Sequence, residues 1–162
     1  MYLNCHSYHS LRYGTISVED LVRDSAKVGI SALALTDINT ITGIYDFYKL
    51  CKESGIKPIV GVDVRLDNES YFIALAKNNQ GIAEICRMLT EHNCEGEILP
   101  RQNPDLPNCF IVYPLKNIPE VLEDNEFIGI RSEELNILIQ KKWQQFSNKM
   151  VVLQPVTFRT KR

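Results

Sequence analysis

The side chains able to do chemistry sit in a few short stretches. The first is Asn4-Cys5-His6-Ser7-Tyr8-His9-Ser10. Residues two apart on a strand face the same side, so Asn4 and His6 point together. A histidine pair there would clamp a metal ion, but asparagine is a poor ligand for zinc or manganese. A lone histidine beside a strand end also reads as a hydrogen-bonded structural residue, and His9 falls off the alternation, in the following loop. The second stretch is Thr36-Asp37-Ile38-Asn39. Asp37 could be a ligand, a general base, or the former of a turn into the next helix. The third is Ile59-Val60-Gly61-Val62-Asp63-Val64. An acid amid apolar strand residues is unfavourable unless it faces a pocket or a partner, which makes Asp63 the most conspicuous acid in the chain. The fourth is the basic end Thr157-Phe158-Arg159-Thr160-Lys161-Arg162. There Arg159, Lys161 and Arg162 could touch a phosphate backbone or simply form a solvated end.

Short apolar runs rich in strand formers must position these groups. They are Tyr2–Cys5, Ser31–Thr36, Pro58–Val64, Tyr71–Ala76, Cys109–Tyr113, Phe127–Ile130 and Met150–Leu153. Between them lie helix-period segments. Ser17 caps a helix over Ser17–Val28 that Gly29 ends; a second runs over Gly43–Glu53 with Gly55 as its stop. A third covers Gly81–Glu91, and Ser132 opens a fourth in which Leu135, Leu138, Ile139, Lys142, Trp143 and Phe146 share a face. The Asn-, Pro- and acid-rich stretch Asn93–Asn108 reads as a loop excursion. Alternating strands and helices predict a parallel sheet with right-handed crossovers, closed into a barrel or open. Functional groups in such folds gather at the carboxyl ends of strands, where all the acids and histidines above fall except the tail.

Composition narrows the function classes. The 162 residues suit one domain, and 44% hydrophobic with 23% charged residues is ordinary for a globular chain. A net charge of −2 argues against gripping nucleic acid by bulk electrostatics. Five cysteines without a Cys-x-x-Cys pair suit a reducing cytoplasm better than a disulfide framework or a thiolate zinc site. The start has no signal-peptide pattern, and no apolar run approaches the roughly 18 residues of a membrane span. Phosphate cradles and nucleophile elbows are absent: there is no Gly-x-Gly-x-x-Gly, Gly-x-x-x-x-Gly-Lys-Ser/Thr or Gly-x-Ser-x-Gly.

The run from Asn4 to Gly14 resembles the first motif of PHP (polymerase and histidinol phosphatase) domains, in the form that opens bacterial DNA polymerase III alpha subunits, His-x-His-x-x-x-Ser-Leu-x-Asp-Gly. Leu33-Ala34-Leu35-Thr36-Asp37-Ile38-Asn39 through Phe47-Tyr48 is similar to the next motif, Ala-Leu-Thr-Asp-His-Gly or Asn followed by a Phe-Tyr helix. Gly55 to Asp63 is similar to Gly-Ile-Lys-Pro-Ile-x-Gly-x-Glu, and Leu75 to Gly81 to Leu-Ala-Lys-Asn-x-x-Gly. The four matches run in order over Tyr2 to Leu89, and Met150–Phe158 can be laid on the last barrel strand and its Asn-Asp-Val-His-Tyr motif.

This resemblance implies a distorted seven-stranded β/α barrel and a cluster of His, Asp and Glu ligands for zinc or manganese. In some alpha subunits that cluster supports exonuclease or phosphatase chemistry; elsewhere it is degenerate and the domain is a scaffold. Carried over residue by residue, the family's first His is Asn4, the second survives as His6, and the Asp before the glycine is Tyr13. The His after Thr-Asp is Ile38, the Glu has shortened to Asp63, and the His opening the fourth strand is Tyr71. In the last motif the Asp and His fall on Pro155 and Thr157. Only His6 and Asp63 keep a competent side chain, with Asp37 as a nearby acid.

The expectation is therefore a single non-catalytic barrel over residues 1–162, without metal or other cofactor, excised from a longer cytoplasmic polymerase. Magnesium-dependent synthesis would belong to the rest of that chain. The expected partners are that remainder, a proofreading exonuclease subunit, and DNA through the parent protein, with no membrane. The rivals are a free-standing metal-dependent PHP phosphoesterase and an open doubly wound module that binds a small ligand. His6 and Asp63 are expected to meet in one pocket with Asn4, Tyr13, Asp37, Ile38, Tyr71 and Thr157.

Overall fold

The computed structural model describes residues 1–67, 69–102, 104–139, 143 and 146–157. In chain order the elements are β1 (Asn4–Cys5), α1 (Val18–Lys27), β2 (Ala32–Leu35), α2 (Ile44–Glu53), β3 (Lys57–Leu66), β4 (Glu69–Ala76), α3 (Asn79–Thr90), β5 (Cys109–Pro114), β6 (Glu126–Ile130), β7 (Met150–Val152) and β8 (Pro155–Val156). Local chemistry accounts for the helix ends. The Ser17 hydroxyl accepts the Asp20 N–H at the start of α1, and Gly29 takes φ 72° just past its end. Asn78 accepts the N–H groups of Gln80 and Gly81, so α3 begins ahead of the expected Gly81.

Six strands form one sheet in the order β2-β3-β4-β5-β6-β7, and β1 pairs with β8. The two sheets are parts of one ring. Tyr2 bridges Leu33, and the amides of Ala34 and Thr36 on β2 donate to the carbonyls of Tyr2 and Cys5 at 3.0 and 2.9 Å. The stretch 150–156 pairs through its first half (β7) with β6 and through its second half (β8) with β1. Counting β7 and β8 as one broken strand, the barrel has seven strand positions.

The sheet is not all parallel. β4 runs antiparallel to both β3 and β5, whereas β2–β3, β5–β6, β6–β7 and β1–β8 are parallel. The cause is local: β3 and β4 are joined by a tight turn with Asp67 at φ 50°, and a parallel return needs a crossover of a dozen or more residues. The expected helix after Ser132 also differs. Ser132–Ile139 is 3-10 helix, and Lys142 lies outside the described residues, as do Arg159, Lys161 and Arg162 of the basic tail.

Apolar residues collect in three layers. Leu21, Val22, Phe47 and Cys51 seat α1 and α2 on Cys5, Leu33 and Leu35. Ile85 and Leu89 seat α3 on Val62, Val64, Phe72 and Tyr113. Leu99 and Leu106, from the stretch expected to be a loop excursion, are 2% and 4% exposed in that same layer. The third cluster, Ala34, Ile73, Leu75, Val112 and Leu153, draws on no helix and fills the barrel interior. Among the described residues no helix is long and apolar enough to cross a membrane.

Candidate functional site at the carboxyl end of the barrel

β1 and β3 bring His6 and Asp63 together: Nε2 lies 3.0 Å from Asp63 Oδ2, and both side chains are fully buried. A carboxylate oxygen can only accept, so Nε2 carries the hydrogen. The other ring nitrogen, Nδ1, is buried without a hydrogen-bond partner among the described residues.

Asp63 has more donors than His6. Arg65, two residues along β3, reaches Oδ2 through Nε at 2.9 Å and Nη2 at 2.6 Å, and the Ser70 hydroxyl donates to Oδ1 at 2.8 Å. Burial alone would push the Asp63 carboxyl up. The hydrogen bonds from His6 and Arg65 and the guanidinium charge outweigh it and hold the group below its ordinary 3.8. Arg65 is in turn fixed. Its backbone N–H donates to Asn39 Oδ1 at 2.9 Å, and its carbonyl accepts from Asn39 Nδ2 at 2.6 Å. Its guanidinium carbon stands 4.3 Å from the centroid of the Tyr13 ring, a cation–π contact. Tyr13 also meets the His6 ring edge-on at 5.0 Å.

Asp37 is consumed by a different task. It accepts from the Ser7 amide at 2.6 Å, the Ser7 hydroxyl at 2.7 Å and the Ser10 hydroxyl at 2.6 Å, which pins the loop after β1. The turn is tight enough that a Cβ on Gly14 would stand 1.9 Å from the Ser7 carbonyl oxygen. Asp37 and Asp63 communicate only through backbone: the Asp63 amide donates to the Asp37 carbonyl, and Ile38 bridges Asp63.

The expected pocket is thus reduced. His6, Tyr13 and Asp63 come together, with Asp37 and Ile38 alongside. Asn4 turns to β2, where its Oδ1 accepts from Thr36 Oγ1 at 3.2 Å. Pro155 pairs with Asn4, and the Thr157 carbonyl accepts from Thr15. His9 packs beside Gly43 at the start of α2. Tyr71 is misplaced in the expectation. The register passes from Val64↔Phe72 to Arg65↔Ser70, so Tyr71 is the extra residue of a β-bulge. It joins the layer under α3, beneath the Arg101 guanidinium, and Ser70 takes the place beside Asp63.

Arg65 and Ser70 escaped sequence reasoning. The signal for Arg65 was present: opposite charges two apart on a strand share a face. Nothing in the sequence marked the bulge that delivers Ser70.

The donor set does not fit a metal ion. His6 and Ser70 already donate to Asp63, and a guanidinium stands against its carboxylate where a cation would have to sit. Among the described residues no group of three His, Cys, Asp or Glu side chains could hold a metal. Arg65 is 9% exposed, and His6 and Asp63 not at all.

The PHP domain family model matches residues 3–127. The chain belongs to the PHP domain family. This PHP domain is 35% identical over 119 residues to the DNA polymerase III subunit alpha of Chlamydia pneumoniae, covering 64% of this chain and 10% of that one. It is 34% identical over 101 residues to the same subunit of Halalkalibacterium halodurans, covering 60% and 9%. The chain therefore spans about a tenth of the length of the curated relatives it matches. Among solved structures, an amidohydrolase from Chromobacterium violaceum is similar at 19% identity and a TM-score of 0.45 over 56% of this chain and 32% of that one.

Proposed function

We propose that this PHP domain is non-catalytic and serves as a structural and interaction module of a cytoplasmic DNA polymerase III alpha-type chain. Its partners in this reading are the remainder of that polymerase and a proofreading exonuclease subunit. Contact with DNA comes through the parent protein, and the basic tail Arg159, Lys161 and Arg162 is the segment able to add backbone-phosphate contacts. The observation that carries the reading is the neutralisation of Asp63 by Arg65, His6 and Ser70 inside the barrel wall. A hydrolytic PHP site needs carboxylates free to hold cations, and a carboxylate ion-paired with a buried guanidinium is not free.

The test is direct. The chain is incubated with zinc or manganese, desalted, and examined by elemental analysis, then assayed on single-stranded DNA and a generic phosphomonoester with added manganese. The expected result is no stoichiometric metal and no turnover. Bound metal together with turnover that disappears in His6→Ala overturns the reading in favour of a metal-dependent phosphoesterase.

A further inference from the structure

The opposite end of the barrel carries an open cleft of about 400 Å³ where β3, β5, β6 and β7 begin and β4 ends. Its floor is Leu75 and Val112, 5% and 2% exposed, from the interior cluster. Its walls include Ile59, Val151 and the aromatic pair Phe110 and Phe127, whose rings meet edge-on at 5.8 Å. Phe110 is 43% exposed, so the wall is a large apolar surface left to solvent. Lys57 and Lys77 line the same cleft, and among the described residues no carboxylate side chain does. Lys77 is held in place: Nζ donates to the Pro107 carbonyl at 2.9 Å and lies 4.9 Å from the Phe110 centroid.

Shape and charge point to one kind of occupant. A concave apolar space of this size, with a few polar groups at one side, is what a small-molecule site looks like. Its floor lies inside the barrel rather than on a flat surface of the kind two proteins bury. Two ammonium groups without a carboxylate favour an anion over a cation or a neutral hydrocarbon. We propose that this cleft binds a small amphipathic carboxylate, its apolar body against Leu75, Val112, Phe110 and Phe127 and its carboxylate at Lys57 and Lys77. The proposal is independent of whether the other end of the barrel is catalytic.

The probe is anilinonaphthalene sulfonate, an aromatic anion that brightens in apolar surroundings, titrated into the chain and then displaced. Saturable binding of one probe per chain is expected, with displacement by decanoate and not by an alkylammonium of equal length. Lys57→Gln combined with Lys77→Gln should weaken decanoate by about tenfold or more, the loss of its charge-assisted contacts. Ile59→Trp, which adds bulk to the cleft wall on the side of Leu75 and Val112, should abolish displaceable binding. The lysine variant, altered only on the surface, keeps the test valid if Ile59→Trp does not fold. Absence of saturable binding, displacement by the ammonium as readily as by decanoate, or unchanged decanoate affinity in the lysine variant overturns the proposal.

Discussion

At the carboxyl ends of β1, β2 and β3 the polar side chains are consumed by one another: His6, Arg65 and Ser70 by Asp63, and Ser7 and Ser10 by Asp37. At the other mouth the arrangement is reversed. Apolar walls face solvent, and the Lys57 and Lys77 ammonium groups line them without a carboxylate. The two ends share strands, so the difference lies in what each side chain can find within reach. A buried carboxylate must be given donors, and once given them it has little capacity left for a ligand. An exposed ammonium needs no carboxylate, and Lys77, although it donates to the Pro107 carbonyl, has two further hydrogens to give. Chemistry-bearing residue types therefore mark the closed end, and the open end is marked by apolar residues that sequence reasoning placed in strand runs.

The contrast predicts a steep difference in stability effects. Asp63→Ala leaves Arg65 and His6 buried without their acceptor and should cost about 3–5 kcal/mol, read as a lowered urea midpoint or as failure to fold. Because the Asp63 carboxyl titrates below its ordinary 3.8 when folded, its stabilisation is complete above that pH. It is lost as pH falls through the lower folded value, so the urea midpoint should drop on acidification below about pH 4. Asp63→Asn should flatten that part of the profile; an unchanged profile would mean that Asp63 is not the ionised partner of Arg65.

Asp37→Ala removes the acceptor of three hydrogen bonds and leaves the Ser7 amide unsatisfied. It should cost roughly 1.5–3 kcal/mol, and hydrogen exchange at Ser7 and Ser10 would show the loop after β1 loosening ahead of the barrel. A variant as stable as the parent would refute the structural role given to Asp37. Lys57→Gln, at the open mouth, should change stability by less than about 0.5 kcal/mol. A larger loss there would show that the open end is also held by its charges, and the comparison would collapse.

Much of the fold was legible because its signals are local. The Ser17 cap, the glycines past α1 and α2, and the apolar runs at β2 through β6 act within a few residues and appear where they were expected. The antiparallel β4 was legible in principle, since the six residues between Val64 and Tyr71 leave no room for a crossover helix. The pairing of His6 with Asp63 was readable as alternation on two strands plus the resemblance to PHP motifs. The 3-10 turn at Ser132–Ile139 was not, because helical spacing of apolar residues does not distinguish an α-helix from a tighter one.

By itself, then, the sequence determined where most strands and the first two helices lie, which residues alternate onto each face, and that most positions matching PHP ligands carry residues other than His, Asp or Glu. The tertiary structure alone decided what those side chains do instead. A one-residue bulge at Tyr71 puts Ser70 opposite Arg65 and turns the tyrosine into the layer under α3, and closure of the ring by the broken strand 150–156 sets β8 beside His6. Both depend on register between strands distant in sequence, and a shift of one residue reverses every face.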